Sequence, residues 1–293
     1  MRELWNKNFE KQFFISSLGQ SASPRQLFYL ANNRDYLAYW PKNYSGGKST
    51  LQSRNSLIGS YTEKWAAELI QEAVRNTGFF AVNHAVCEEV GLPKQSPADV
   101  VISTVNNINQ KPDEIKAIFE VKMSIVWNWC YKDTPNGPIL ECIGDYKTHS
   151  GIPGLLRSDS MLKAIGKGVN IRIANKSSAQ IPIIILGNTP IRNIYYSKVD
   201  NLKSAGIIQG FLSINPNPLD NKASTLKSTP KKGFYKFDTF NEFKSYINNM
   251  LSEEKNYFSG MRTKQELGRI IEVANKETTY QEKANTFLKL IGE

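Results

Sequence analysis

The sequence predicts an α/β fold, and three observations lead to this class. Segments with the apolar periodicity of helices, at about 61–77 and from about 159, alternate along the chain with short apolar segments typical of strands. The run IPIIILG at 181–187 has the length of a buried strand. The 293 residues, 40% of them hydrophobic, suffice for one large core or for one core with added subdomains.

Residues 1–56 are predicted to form a basic, aromatic-rich N-terminal region. Ser23 and Pro24 have the residue types of a helix N-cap and a first helical position, so a short helix is expected through RQLFYLANN. The polar segment 43–56 indicates a loop. Its GGKST run resembles the end of a phosphate-binding P-loop, but Lys42 stands where that motif needs its first glycine and no buried strand precedes it. ATP binding is therefore not predicted.

Residues 57–218 carry most of the predicted regular structure, beginning with the helix at about 61–77. The polar residues NNINQKPDE separate the second and third strands that follow, as in an antiparallel hairpin. The helix from about 159 is weakened by Gly166 and Gly168 and precedes two further strands. The strands are expected at FFAVNHAVC from 79, ADVVIS from 98, IKAIFEVKMSIVWNW at 115–129, IPIIILG at 181–187 and GIIQGFLSINPNP from 206.

Residues 219–293 are predicted to comprise a basic loop and a C-terminal helical subdomain. The segment 220–236 is rich in lysine and polar residues, and it is expected to be a mobile loop. Two or three helices with charged outer faces are expected from about 239.

The net charge of +10 and the pI of about 9.3 favour a polyanionic partner, either nucleic acid or an anionic membrane surface. No basic amphipathic helix stands out and no stretch approaches the roughly 18 apolar residues of a membrane span, so the membrane role is the weaker alternative. The three cysteines form no CxxC pair and no signal peptide is recognisable, which predicts a cytoplasmic protein without disulfides or zinc.

The strand from 115 suggests a catalytic site, because its two faces differ. One face is apolar throughout, whereas Glu120 and Lys122 lie side by side on the other. Asp99 is in the preceding strand, so pairing of the two strands brings it towards Glu120 and Lys122. Two carboxylates in a site that is partly shielded from water repel each other, and a bound Mg²⁺ ion offsets the free energy of this repulsion. Lys122 is expected to orient a water or stabilise developing charge, so these residues predict metal-assisted phosphodiester hydrolysis.

The segments PAD at 97–99 and EVK at 120–122 resemble the motif of the PD-(D/E)XK nucleases, although Ala98 interrupts the adjacent Pro-Asp of that family. The resemblance extends from about Gly59 to Gly187. It implies a mixed central β-sheet flanked by helices, the restriction-endonuclease-like core, with helical N- and C-terminal additions.

The resemblance also implies roles for individual residues. Asp99 and Glu120 would ligate Mg²⁺ together with the backbone carbonyl of Val121, and Lys122 would serve the attacking water. The length of the chain is most similar to that of a type II restriction endonuclease, which implies sequence-specific cleavage of double-stranded DNA. Cleavage at a twofold-symmetric site calls for a homodimer, because each core holds one site for one strand.

Glu63 is a further catalytic candidate, because many PD-(D/E)XK nucleases have an acidic residue at this helix that reaches the metal. Its spacing from Ser60 equally fits a capping box at the start of the helix, and this interpretation is slightly favoured.

Basic and hydroxyl residues after the site are candidates for DNA contact, since the segment is locally positive and a helix N-terminus favours anions. For any one of these residues alone a solvated surface position is the preferred explanation, whereas the cluster favours DNA, and the later lysines fit a flexible connector equally well. The candidates are Lys147, Arg157, Ser158, Ser160, Lys163, Lys167, Arg172, Lys231 and Lys232.

Two other functions remain open. A repair or recombination nuclease would read DNA structure and ignore sequence. A basic nucleic-acid-binding protein without catalysis would use Glu120 and Lys122 as a structural ion pair.

Overall fold

The computed structural model describes residues 2–20, 22–31, 35–47, 50–216, 226–252 and 263–292. The chain divides into two compact units, Met1–Glu254 and Lys255–Glu293. The first unit contains helices α1 Lys7–Gln20, α2 Pro24–Leu27, α3 Gln52–Ala73, α4 Ser158–Ala174, α5 Tyr196–Ser204 and α6 Phe240–Leu251. The second unit contains α7 Lys264–Ala274 and α8 Tyr280–Gly292.

Ten strands are described, all in the first unit, and they form two sheets. The larger sheet has six strands in the order β10-β9-β8-β5-β4-β3, and the smaller one has four in the order β1-β2-β6-β7. The strands are β1 Tyr29–Ala31, β2 Asp35–Leu37, β3 Phe80–Ala85, β4 Ala98–Ser103, β5 Ile115–Lys122, β6 Asn128–Lys132, β7 Ile139–Gly144, β8 Ile183–Gly187, β9 Gly210–Ser213 and β10 Phe234–Lys236.

The six-stranded sheet is mixed. β3, β4 and β5 pair antiparallel, whereas β5, β8, β9 and β10 pair parallel. Phe119 on one face of β5 joins the same apolar layer as Trp65 of α3, and Ile118 on the other face joins the layer that contains Met161 of α4. The predicted α/β fold, a mixed sheet flanked by helices with helical additions at both ends, is confirmed.

The predicted strand at 115–129 is wrong as a single element, because it is divided between the two sheets. β5 ends at Lys122 and β6 begins at Asn128. Between them the backbone is satisfied by side chains rather than by a ladder: Asn188 accepts from the Ser124 N–H at 3.1 Å and donates to the Ser124 carbonyl at 2.7 Å. The break between β5 and β6 therefore depends on partners distant in sequence, and the apolar pattern of residues 115–129 does not reveal it.

The N-terminal region is part of the first unit, and its boundary differs from the prediction. α3 begins at Gln52, so a boundary at 56/57 falls inside a helix, and 52–56 is not a loop. Arg54 explains the longer helix, since its buried guanidinium donates to the carbonyl of Leu27 at 3.2 Å and to that of Ala38. The helix predicted through RQLFYLANN stops at Leu27, and β1 follows.

Part of the predicted basic loop is also regular structure. Phe234–Lys236 forms β10, which pairs parallel with β9. The boundary predicted at 218/219 and most of the loop before 226 lie outside the described residues. The predicted C-terminal helices are present as α6, α7 and α8. Among the described residues, no helix is long and apolar enough to cross a membrane.

Glu10 ties α1 to the connection between the two sheets. Its buried carboxylate accepts hydrogen bonds from the N–H groups of Val126 at 2.6 Å and Trp127 at 3.1 Å. The indole N–H groups of Trp129 and Trp5 also donate to it, at 3.1 and 3.3 Å. Burial raises the pKa of Glu10 to about 8, and the four N–H donors act against that rise.

Replacing Glu10 with alanine is expected to lower the free energy of unfolding by about 3 kcal/mol or more, because buried N–H groups lose their acceptor. Urea unfolding of the two proteins would measure this difference. Lys11→Ala, at the exposed neighbouring position, is the control and should change stability by less than about 0.5 kcal/mol. Equal stabilities of Glu10→Ala and Lys11→Ala would contradict the role of Glu10.

Candidate active site

The candidate site lies where β4 and β5 separate. Val100 and Phe119 are the last pair of their ladder at this end. Beyond them the Asp99 carboxylate takes the place of a backbone acceptor, since its Oδ2 accepts a hydrogen bond from the Val121 N–H at 2.6 Å. On the other side, the Asn83 side-chain amide donates to the Asp99 carbonyl at 2.6 Å. The sheet itself therefore holds the Asp99 carboxylate in position.

Glu120 and Lys122 lie on the same face of β5, as the alternation predicts. The Lys122 ammonium contacts Glu120 Oε1, lies 3.3 Å from the Val121 carbonyl oxygen and is 4.0 Å from Asp99 Oδ2. The side chain of Glu120 is only 6% exposed, whereas that of Lys122 is 23% exposed. The predicted cluster of two acids and an amine is thus present, and it is partly accessible to solvent.

Lys167 of α4 adds a second cation to this cluster. Its ammonium lies 2.5 Å from Glu120 Oε2 and 3.4 Å from Asp99 Oδ1, and it donates to the Pro97 carbonyl at 3.0 Å. Two carboxylates and two ammonium groups therefore balance each other in charge. The sequence-based interpretation of Lys167 as a phosphate contact is corrected here, because its ammonium is engaged by the carboxylates.

The position of Lys167 on α4 explains how it reaches the sheet. It lies three residues after the buried Ala164 and four before the buried Ile171, so it belongs to the stripe that faces the sheet. At the next position, a Cβ on Gly168 would lie 2.8 Å from Ile208 Cδ1, so glycine permits the close approach of the helix. A lysine within an apolar stripe is the signal in the sequence that could have identified this residue.

The pKa values of the cluster follow from burial and from the neighbouring charges. Burial and then the Glu120 carboxylate raise the pKa of Asp99 to about 6, against the opposing effects of Lys167, Lys122 and the Val121 N–H. Burial opposes the charge on Lys167, but Asp99 and Glu120 outweigh it and its pKa is raised. Both ammonium groups face both carboxylates, so the carboxylates are the groups that attract cations to this cluster.

The donor set fits a hard divalent cation bound through few protein ligands. Among the described residues, no group of three or more His, Cys, Asp or Glu side chains is placed to hold a metal ion. Mg²⁺ needs fewer, since it commonly uses one or two carboxylates with waters and substrate phosphate oxygens. Within the described part of the chain, the buried Glu120 Oε2 accepts no hydrogen bond of regular geometry, and its partner is the charge of Lys167. Asp99, Glu120 and the Val121 carbonyl are therefore suitable ligands.

One of the two predicted roles of Glu63, that of a helix cap, is contradicted by its position. α3 begins at Gln52, so Glu63 lies within the helix and the capping interpretation is wrong. Its Oε2 is 3.7 Å from Nε2 of His84, a residue with a positive φ of 55° at the end of β3. α3 packs on the sheet face opposite to α4, and the ionic contact of Glu63 is with His84 rather than with Asp99 or Glu120.

Several predicted DNA-contact residues lie around the start of α4. Arg157 and Lys163 have side chains 55% and 70% exposed, and both form ion pairs with Asp159. Ser158 and Ser160 are half-buried, and Ser158 Oγ accepts from Arg192 at 3.4 Å. Gly154, just before this helix, lies close to the Lys122 carbonyl, which places the start of α4 near the candidate site. The other exposed candidates are Lys147, Lys231 and Lys232.

Arg172 is the clearest error among the predicted DNA contacts. Its side chain is buried, and its guanidinium donates to the carbonyls of Ser178, Ile181 and Ile207. It also donates to the Gln209 side chain at 3.0 Å. A cation that satisfies carbonyl groups inside the protein is a structural element and does not reach a phosphate on the surface.

Comparison with protein-family models, with curated proteins and with solved structures found no match to this chain. The functional interpretation therefore depends on the contacts of the residues themselves.

Proposed function

We propose that the protein is a Mg²⁺-dependent endodeoxyribonuclease that cuts double-stranded DNA at specific sequences, in the manner of a type II restriction enzyme. The observation that carries the proposal is the arrangement of Asp99, Glu120 and Lys122 on adjacent strands, with Lys122 against the oxygens of both acids. The PD-(D/E)XK resemblance and the net charge of +10 support the same function.

Each residue of the cluster has a chemical role in the proposed reaction. Asp99, fixed by the Val121 N–H, and Glu120 provide negative charge that binds Mg²⁺. The ion, when bound, supplies a Lewis acid and a water of lowered pKa. Lys122, on the same strand as Glu120 and beside the Val121 carbonyl, orients the attacking water and stabilises negative charge on the phosphate. Two copies of the chain, one for each strand, act as a homodimer in the cytoplasm.

Incubation of purified protein with bacteriophage DNA tests the proposal, with Mg²⁺ or with EDTA and with Glu120→Gln as the matched variant. Discrete fragments that require both Mg²⁺ and Glu120 are expected. A smear, or nicking confined to branched DNA, would instead indicate a structure-specific nuclease. DNA that stays intact with Mg²⁺ would overturn the enzymatic proposal.

A second candidate function has one specific observation in its favour. Lys122 and Lys167 pair with the carboxylates of Glu120 and Asp99, as structural ion pairs do. A basic nucleic-acid-binding protein without catalysis would be consistent with these contacts. Retention of DNA without cleavage, equal for wild type and Glu120→Gln, would favour it.

The exposed cations near α4 should contribute to DNA affinity through phosphate contacts. Removing Arg157 and Lys163 together, as alanines, is expected to weaken DNA binding in EDTA and to reduce the slope of log K against log salt by about 2. Fluorescence anisotropy over a salt series measures this slope. The charge-matched control is Lys111→Ala/Lys116→Ala at the opposite end of the β4–β5 hairpin. An equal loss in both double variants would show that only net charge matters.

A further inference from the structure

We propose that Lys167 is a positioning residue that serves as a built-in cation, holding the carboxylates of Asp99 and Glu120 and limiting the site to one divalent ion. The inference rests on the proposed function and deepens it. It concerns which cations the two carboxylates bind, and it does not assign Lys167 a part in the attack on phosphorus.

The carboxylates of Asp99 and Glu120 have two cation positions, one on each side. On one side the Lys122 ammonium lies against Glu120 Oε1, the Val121 carbonyl and, at 4.0 Å, Asp99 Oδ2. On the other side the Lys167 ammonium lies 2.5 Å from Glu120 Oε2 and 3.4 Å from Asp99 Oδ1. The two lysines thus divide the four carboxylate oxygens between them.

The two ammonium groups differ in how they are held. Lys122 has its carboxylate partners and the carbonyl of its own neighbour, on the strand that also carries Glu120. Lys167 comes from a separate element, α4, which Gly168 allows to lie close to the sheet. Its ammonium also donates to the Pro97 carbonyl at 3.0 Å, next to β4. Lys167 therefore links α4, β4 and β5, and a metal ion on its side would have to break all three connections.

Charge balance leads to the same conclusion. With both lysines in place the cluster is neutral, and a divalent ion on one side requires one ammonium to leave. Among the described residues, the partners of the Lys122 ammonium lie on β4 and β5, so its departure breaks no link to a helix. Lys167 then remains as the fixed charge that keeps Asp99 and Glu120 together, both with and without metal.

The experiment counts Mn²⁺ ions bound per chain by isothermal titration calorimetry, with Mn²⁺ as the probe and without DNA. Wild type is expected to bind one ion. Lys167→Met is expected to bind a second ion, or one ion at least tenfold more tightly, and to have a lower melting temperature than wild type in EDTA. Lys167→Arg, which keeps the positive charge, should again bind one Mn²⁺ ion per chain. Lys116→Met, at the other end of β5, should leave the count and affinity unchanged.

Two results would overturn the inference. Binding of two Mn²⁺ ions by the wild-type chain would overturn it. This result needs no variant, so the inference can be tested even if Lys167→Met does not fold. An unchanged count and affinity in folded Lys167→Met would do so as well. Failure of the proposed function is separately visible, because wild type would then leave bacteriophage DNA intact with Mg²⁺ whatever the ion count.

Discussion

Replacing Lys122 with methionine is expected to lower the rate of DNA cleavage by roughly 10³-fold with little change in DNA affinity. Methionine keeps most of the length and volume of lysine but removes the ammonium that faces Glu120 and lies 4.0 Å from Asp99. The proposed reaction needs that ammonium mainly when negative charge develops on the phosphate, so the effect should fall on kcat. Single-turnover cleavage of a plasmid, with enzyme in excess over sites, measures it.

The control for this prediction is Lys116→Met, a lysine at the other end of β5 whose ammonium donates to the Asp113 carbonyl. It should cleave at the wild-type rate. Circular dichroism and the melting temperature of Lys122→Met must show a folded protein for the comparison to hold. Cleavage by folded Lys122→Met at the wild-type rate would remove Lys122 from the chemistry and leave it as a structural partner of Glu120.

Replacing Asp99 with asparagine should abolish cleavage and yet make the metal-free protein more stable at pH 8 than wild type. Burial and the Glu120 carboxylate raise the pKa of Asp99 from 3.8 to about 6 in the folded protein. The folded state therefore binds a proton more tightly than the unfolded state, and wild-type stability falls as the pH rises from about 4 through about 6. The full effect is of the order of 3 kcal/mol at pH 8, less whatever the variant loses in its contact with Lys167.

Urea unfolding in EDTA at several pH values between about 4 and 8 measures this effect. The stability difference between Asp99→Asn and wild type should grow across that range and reach a plateau above the pKa of Asp99. Added Mg²⁺ should then stabilise wild type and leave Asp99→Asn nearly unchanged. If the free energies of unfolding of the two proteins change with pH in parallel, ionisation of Asp99 does not destabilise the folded protein.

Local patterns in the sequence were sufficient for the part of the site that two neighbouring strands form. The hairpin loop sets β4 beside β5, and side-chain alternation then places Glu120 and Lys122 on one face near Asp99. Each of these steps depends either on residues close in sequence or on the alternation of side chains between the two faces of a strand. The helix α4 and the buried strand β8 follow equally directly from their apolar patterns.

Residues whose positions depend on distant partners were not predictable in this way. Lys167 and Arg172 are both basic residues of α4, yet one joins the carboxylates and the other satisfies interior carbonyls. Only the packing of α4 on the sheet distinguishes them from surface cations. In the four-stranded sheet, the pairing of β2 with β6 was not predictable for the same reason, since about ninety residues separate the two strands, whereas the pairings of β1 with β2 and of β6 with β7 are local.

The contacts of Glu10 have a consequence for how the chain assembles during synthesis. Its acceptor role depends on residues 116, 117 and 119 positions further along, so α1 is complete long before its partners emerge from the ribosome. Until then its acidic group lacks these partners, although Phe9, Phe13 and Phe14 of α1 already have Trp65, Tyr61 and Phe28 to pack against. The two sheets therefore become connected late, when the amino-terminal helix closes over the segment that joins them.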